Sequence, residues 1–330
     1  MRNFGLSLIM LMICSTISLR VEASGKNLSH EFVKINNQQL ELTASEVKTL
    51  RQYDLYFIPG ILAESLIGSD RRSKLDISLI TRDYFETSIN VLQKKYKLNA
   101  KRLTTSSSNV NETQANIRKA LDESARRGKK ALLLSHSLGG LALIEELLVN
   151  PKIQSNIAGI VFLQSPFYGT GLSEVLLDPP FELSKFIEPI LPLLNISQET
   201  VDYVGIKSRK AFMARHHSKI AKLVSKVPLY TFSSIVESNK SIFKPTIDIL
   251  QSGCIKNTKN KCITEIFYQG PYDKSDGLIP LRSSFIPGAD YVVLNNVDHG
   301  EIILNVPFTD YKKEHMTTSW LRLLLKKINK

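Results

Sequence analysis

The sequence predicts an α/β fold: a mostly parallel central sheet with helices on both faces and an inserted helical cap. Three observations carry that prediction. Short apolar runs suited to fully buried strands alternate with segments of helical spacing. The central run, 129–135, passes through Ser135-His136-Ser137-Leu138-Gly139 straight into another helical pattern, and 172–226 interrupts the alternation with prolines, long apolar stretches and a basic helix. With 330 residues, 43% of them apolar, the chain has material for one large α/β domain or two small ones.

Taken in order, Arg2, an apolar stretch over 4–19 and small residues around Ala23 read as a secretory signal, 1–23, cut before Ser24. Several serines and a threonine interrupt the stretch, and it is shorter than the ~20 residues of a membrane span, which argues against an anchor. Cys14 does not suit a lipoprotein signal, because Ile13 stands where a small residue should precede it. The expected location is secreted or periplasmic. Residues 24–52 are a polar, weakly patterned N-terminal extension, with a strand expected near 32–35 and a short helix at 45–51.

The main domain, 53–330, opens with an apolar strand at 53–58 that breaks at Pro59-Gly60. Residues 83–96 are helical by the spacing of Tyr84, Phe85, Ile89, Val91 and Leu92, and 101–105 suits a short strand. An amphipathic helix follows over 109–127, capped by Asn109 or Asn111 and ended by Gly128. After the central strand, 138–149 is a helix stopped before Pro151, and 157–164 is the next strand. The 172–226 insertion, with its basic helix over 207–226, is expected to cover the site as an amphipathic cap. Strands resume at 227–233, 263–268 and 290–294, and 309–327 closes the chain as a helix bearing Trp320, Leu323 and Leu324.

Loss of the signal removes Cys14 and leaves Cys254 and Cys262 around a polar, basic, hairpin-like loop. In an oxidising compartment a disulfide closing 254–262 is expected, worth on the order of ~2 kcal/mol, with two unpaired thiols as the alternative. No CxxC or His/Cys cluster points to a metal, and no cofactor is expected. The formal charge of +12 favours anionic partners, including peripheral contact with an anionic membrane surface. Lysines are spread along the chain without a basic-aromatic stripe, which excludes a nucleic-acid reading and leaves oligomeric state unspecified.

The chemistry centres on Ser137. A strand that ends in small-x-Ser-x-small and turns at once into a helix is a nucleophile elbow, with Ser135 in place of the usual first glycine. A serine hydroxyl attacks near neutral pH only with a general base in reach and a third group orienting that base. Of six histidines, His299 follows the last expected strand and can reach the carboxyl edge of the sheet, whereas His136 is read as part of the turn. Asp273 and Asp276 both stand where the orienting acid should come; Asp276 is preferred because Asp-Gly before an apolar pair and Pro makes a tight turn. Asp298 is disfavoured, since adjacent side chains rarely face each other. Backbone N–H groups of Leu138 and of Ile61, just past Pro59-Gly60, are the candidate oxyanion donors.

With Phe57-Ile58-Pro59-Gly60, Ser135-His136-Ser137-Leu138-Gly139-Gly140, Ser165-Pro166-Phe167-Tyr168-Gly169-Thr170, Asp276-Gly277-Leu278-Ile279-Pro280 and Asp298-His299-Gly300, the chain resembles the lipase-like α/β-hydrolases from about Tyr53 onward. Its Pro-Gly loop resembles that of lecithin:cholesterol acyltransferase relatives. Its Ser-Pro-x-x-Gly-Thr segment is similar to the Pro-His-x-Gly-Ser/Thr motif of bacterial triacylglycerol lipases and inositol deacylases, with Phe167 where that motif has histidine. The resemblance implies the α/β-hydrolase fold and acyl chemistry on lipid or other esters through a serine ester. An acyltransferase using the same triad, and a non-catalytic binding protein on this fold, are the alternatives.

Overall fold

In a computed structural model, the structure describes residues 25–39, 41–60, 84–106, 108–173, 197–237, 241, 274–304 and 311–329. The signal, Ile61, the proline-rich part of the expected cap at 174–196, Cys254, Cys262, Asp273 and the expected strand at 263–268 lie outside the described residues.

Among the described residues six strands form one parallel sheet: β1 (Tyr53–Ile58), β2 (Ala100–Arg102), β3 (Lys130–His136), β4 (Ile157–Leu163), β5 (Leu229–Ile235) and β6 (Asp290–Asn295), in the order β2-β1-β3-β4-β5-β6. Their alternation explains the two layers. Leu55, Phe57, Leu132, Leu134, Val161 and Phe232 point to one face, while Ile58, Leu133, Ile160, Phe162 and Leu229 point to the other, each set entering its own core. Apolar on both faces, such strands must be covered on both.

In chain order the helices are α1 (Ser29–Asn37), α2 (Ala44–Leu50), α3 (Glu86–Asn90, continued by a π-helical turn, Val91–Lys95), α4 (Val110–Arg126), α5 (Leu138–Val149), α6 (Gln198–Tyr203), α7 (Ile206–Arg215), α8 (His217–Lys226) and α9 (Lys313–Ile328). Residues of α1, α2, the α3 turn and α9 cover the first face; α4, α5, α7 and α8 cover the second. Asn109 caps α4 by accepting from the Glu112 N–H. α5 has buried residues on almost every side, as befits a helix with no polar face.

Three expectations need correction. The stretch expected as a strand at 32–35 lies inside α1. Phe32, Ile35 and Asn36 are buried at helical spacing, and Phe32 meets Phe232 edge-on at 5.2 Å, so packing against the sheet outweighs local β propensity. The helix expected from residue 83 begins at Glu86; Tyr84 and Phe85 precede it, with Phe85 at φ 62°. The basic helix of the expected cap breaks at His216 into α7 and α8, and Met213, Ile220 and Leu223 join the core beneath α5. Residues 206–226 are therefore part of the layer covering the sheet. Among the described residues no helix is long and apolar enough to cross a membrane.

Neighbouring strands β1 and β3 send the chain to opposite faces, toward α3 and into α5 respectively. Their carboxyl ends therefore mark a topological switch point, the usual place for a ligand in an open parallel sheet.

Candidate active site

Ser137 stands between β3 and α5 at φ 52°, ψ −126°, a conformation that costs a non-glycine residue roughly 1–3 kcal/mol. Its N–H donates to the Leu163 carbonyl at 2.9 Å, which ties the turn to β4. Close backbone approach makes room for the turn. A Cβ at Gly60 would lie 2.7 Å from Ser137 Cβ, and one at Gly139 would fall on the carbonyl oxygens of Pro59 and, at 2.6 Å, Ile58. Glycine is needed after the serine rather than before it, which is why Ser135 is tolerated. Leu138 opens α5, so its N–H is one of the donors that a helix start leaves without an intrahelical partner.

Asp276 and His299, far apart in sequence, meet. His299 Nδ1 lies 2.8 Å from Asp276 Oδ2, and the His299 N–H donates to the Asp276 carbonyl at 2.8 Å. The other carboxylate oxygen accepts the N–H groups of Leu278 at 3.0 Å and Ile279 at 2.7 Å, in a turn that passes through Gly277 at φ 101°. Asp298 is used differently: its Oδ1 accepts from the N–H groups of Gly300 and Glu301, shaping the loop around His299. The segment after β4 buttresses the Asp276 turn. Thr170 Oγ1 donates to the Leu278 carbonyl at 2.6 Å, and Ser283 Oγ donates to the Gly169 carbonyl at 2.5 Å.

His136, expected to serve only the turn, is instead a buried contact of His299: the two ring centroids are 4.5 Å apart. Nδ1 lies 2.7 Å from the hydroxyl of Tyr84, and Nε2 lies 3.2 Å from both Gln164 Oε1 and the His299 carbonyl. Burial, and then the neighbouring His299, hold the His136 imidazole well below its ordinary pKa, so this ring stays neutral. Tyr84, its hydroxyl also buried, titrates above the usual phenol range. Tyr84 and Gln164 were missed from sequence. Tyr84 read as an apolar position of a helix, and Gln164 as the end of a strand; only Gln164's place directly after a buried strand hinted at more. Among the described residues no group of three or more His, Cys, Asp or Glu side chains is arranged to hold a metal.

No known family model and no curated protein matches the chain. Solved structures do. A metagenomic carboxyl esterase, MGS0156, is similar with a TM-score of 0.60 at 17% identity, over 84% of this chain and 76% of that one. The mature form of the Bacillus licheniformis lipase BlEst2 is similar with a TM-score of 0.56 at 14% identity, over 83% of this chain and 92% of that one. The parallel sheet of six described strands and these neighbours give the chain the α/β-hydrolase fold that the motifs imply.

Proposed function

We propose that this protein is a secreted or periplasmic serine hydrolase that cleaves carboxylic esters, those of lipids above all, through an acyl-enzyme on Ser137. One observation carries the reading: the buried Asp276–His299 pair, 2.8 Å apart, whose imidazole packs on the residue next to a serine held at φ 52°. In this mechanism His299 Nε2 takes the Ser137 proton as Oγ attacks the ester carbonyl, then gives it to the departing alcohol. Asp276 holds the Nδ1–H and stabilises the imidazolium. The N–H groups of Leu138 and Ile61 receive the oxyanion. Water then attacks the acyl-enzyme with His299 again as base, releasing the acid and restoring the serine.

Ester hydrolysis is supported by the kinship of fold with a carboxyl esterase and a lipase. Lipid as substrate is supported by the apolar sequence of 186–194 and by the outer face of α7 and α8. Lys207, Arg215, Lys219, Lys222 and Lys226 are exposed there, with no acidic residue between 205 and 226, which suits an anionic headgroup surface. Secretion is supported by the signal-like first residues, and an exported protein beginning at Ser24 is the expected outcome of N-terminal sequencing.

A fluorophosphonate probe tests the core of the proposal. Wild-type protein labels and Ser137→Ala does not; equal labelling of the two sinks the reading. Among p-nitrophenyl esters, activity confined to the acetate would remove the lipid preference.

A further inference from the structure

Resting on the serine-hydrolase reading, we propose that Tyr84, His136 and Gln164 are positioning residues. They hold the loop at Gly60 and the loop at His299 in one arrangement through a single proton-ordered chain of hydrogen bonds.

The order follows from what each atom can do. The Gly60 N–H can only donate, and it points at Tyr84 Oη from 2.7 Å. The one proton of that hydroxyl is then directed to His136 Nδ1, 2.7 Å away, which must accept. A neutral imidazole accepting at Nδ1 carries its proton on Nε2, and that nitrogen faces two oxygens at 3.2 Å, Gln164 Oε1 and the His299 carbonyl. With its oxygen so engaged, Gln164 turns its amide nitrogen to Ser234 Oγ at 2.5 Å and to the Asp298 carbonyl at 3.2 Å. Flipping the amide would set oxygen against carbonyl, and moving the ring proton to Nδ1 would leave the Tyr84 hydroxyl facing a donor. Only one ordering satisfies every member. Tyr84, His136, Gln164, Ser234 and Asp298 are all at most 2% exposed, so water is no substitute partner.

The two ends of this hydrogen-bonded chain lie outside the strands and helices. Gly60 approaches Ser137 because it lacks a Cβ, and for the same reason its backbone has the widest conformational freedom. His299 sits in a loop, and its two flanking carbonyls, Asp298 and His299, are those that Gln164 and His136 bond. Tyr84 is itself pinned: Arg102 Nη1 donates to its carbonyl at 2.9 Å. Gln164 adopts φ 47° directly after β4, a backbone penalty that places its amide between the two loops. The consequence for the reaction is geometric, because small misplacements of reacting groups are expensive.

The test combines kinetics with a measurement that needs no turnover. Removing the Tyr84 hydroxyl by Tyr84→Phe is expected to lower kcat on p-nitrophenyl butyrate by roughly 10–100-fold, with KM changed less than about twofold. Asparagine places an amide oxygen where His136 has Nδ1, so His136→Asn should keep at least several-fold more kcat than His136→Leu. Assays run well below each variant's melting temperature keep folding losses out of the comparison. Wild-type kcat in Tyr84→Phe, or equal losses in the asparagine and leucine variants, overturns the proposal. In parallel, ¹⁵N-histidine NMR of the whole protein is expected to show His136 with Nε2 protonated and Nδ1 bare throughout the range in which an exposed imidazole titrates. An Nδ1–H tautomer overturns the network even with full activity, whereas a wild type inert toward every ester overturns the hydrolase reading instead.

Discussion

Two buried carboxylates stand at opposite ends of the sheet, and they are held in different ways. Asp54, at the amino end of β1, accepts at Oδ2 from Arg127 at 2.6 Å and Ser124 at 2.8 Å and at Oδ1 from Asn99 at 2.6 Å, with Lys129 at 3.8 Å. Asp276, beyond the carboxyl end, accepts two backbone N–H groups at one oxygen and sets the other against an imidazole. The first is neutralised by permanent cations and sits in a regular strand. The second pairs with an imidazole at the end of the sheet where Ser137, Gln164 and Asn296 follow β3, β4 and β6 at φ 52°, 47° and 58°. Burial of a charge does not distinguish the candidate site from a structural ion pair. Titratable partners and local strain do.

Variants at the two ends should therefore separate activity from stability. The sharpest break is Ser137→Gly, which removes the nucleophile and relieves the φ of 52° at once. Hydrolysis should fall by roughly 10⁴–10⁶-fold, while stability rises by roughly 1 kcal/mol, the strain relieved less the extra chain entropy of glycine. Thermal unfolding decides: a lower melting temperature for Ser137→Gly would mean that the elbow stores no strain. Next in size is Asp276→Asn, which keeps the shape but offers the imidazole an amide. A drop in kcat/KM of roughly 10³–10⁴-fold is expected, and unchanged kinetics would remove Asp276 from the mechanism.

The same contrast explains what could be read without coordinates. Buried parallel strands such as β3 and β4 are continuous apolar runs, so the architecture was legible from runs and breaks alone. Asp276 and His299, picked out by their order after Ser137 and by the turn residues around them, do meet; their roles with Ser137 belong to the proposal. Illegible features were those made by convergence. The network of Gly60, Tyr84, His136, Gln164 and Asp298–His299 draws on five separate segments, and no one of them carries a local pattern that announces the others. Phe32 shows the same principle in the core: a window of β-forming residues becomes helix because only a helix lays Phe32 and Ile35 together against the sheet.

At the amino end the expected effects are smaller and fall on stability. Burial by itself would raise the Asp54 pKa, but hydrogen bonds from Arg127, Ser124 and Asn99 outweigh it and leave the carboxyl below its ordinary value of 3.8. Arg127 is 42% exposed and can be resolvated, so Asp54→Asn should cost only about 1–3 kcal/mol. The melting temperature should drop by roughly 2–6 °C with kcat unchanged. Because the folded pKa is lowered, the carboxylate's contribution is present above pH 3.8 and is lost as pH falls through the folded value. Wild type and variant should converge in acid; a stability gap that persists there would mean that shape, not charge, matters at this position.

The smallest effect tests how the N-terminal extension is held. Glu46 serves two partners: it completes the capping box with Thr43, accepting the Thr43 N–H at 2.8 Å, and it pairs with Arg322 of α9 at 2.5 Å and 2.8 Å. Its carboxyl is lowered although burial acts to raise it, the Arg322 hydrogen bond leading the opposing effects. Glu46→Gln preserves the cap and discharges the bridge, so the two roles can be told apart. About 1 kcal/mol should be lost, near 2 °C in melting temperature, whereas Thr43→Ala, which spares the bridge, removes the cap by a similar amount. If the two losses add in the double variant, cap and bridge act independently; a smaller combined loss means that Arg322 works by holding Glu46 in the capping position. Either way ester hydrolysis should not change, because α2 and the Arg322 turn of α9 meet beside the amino end of β1, remote from Ser137.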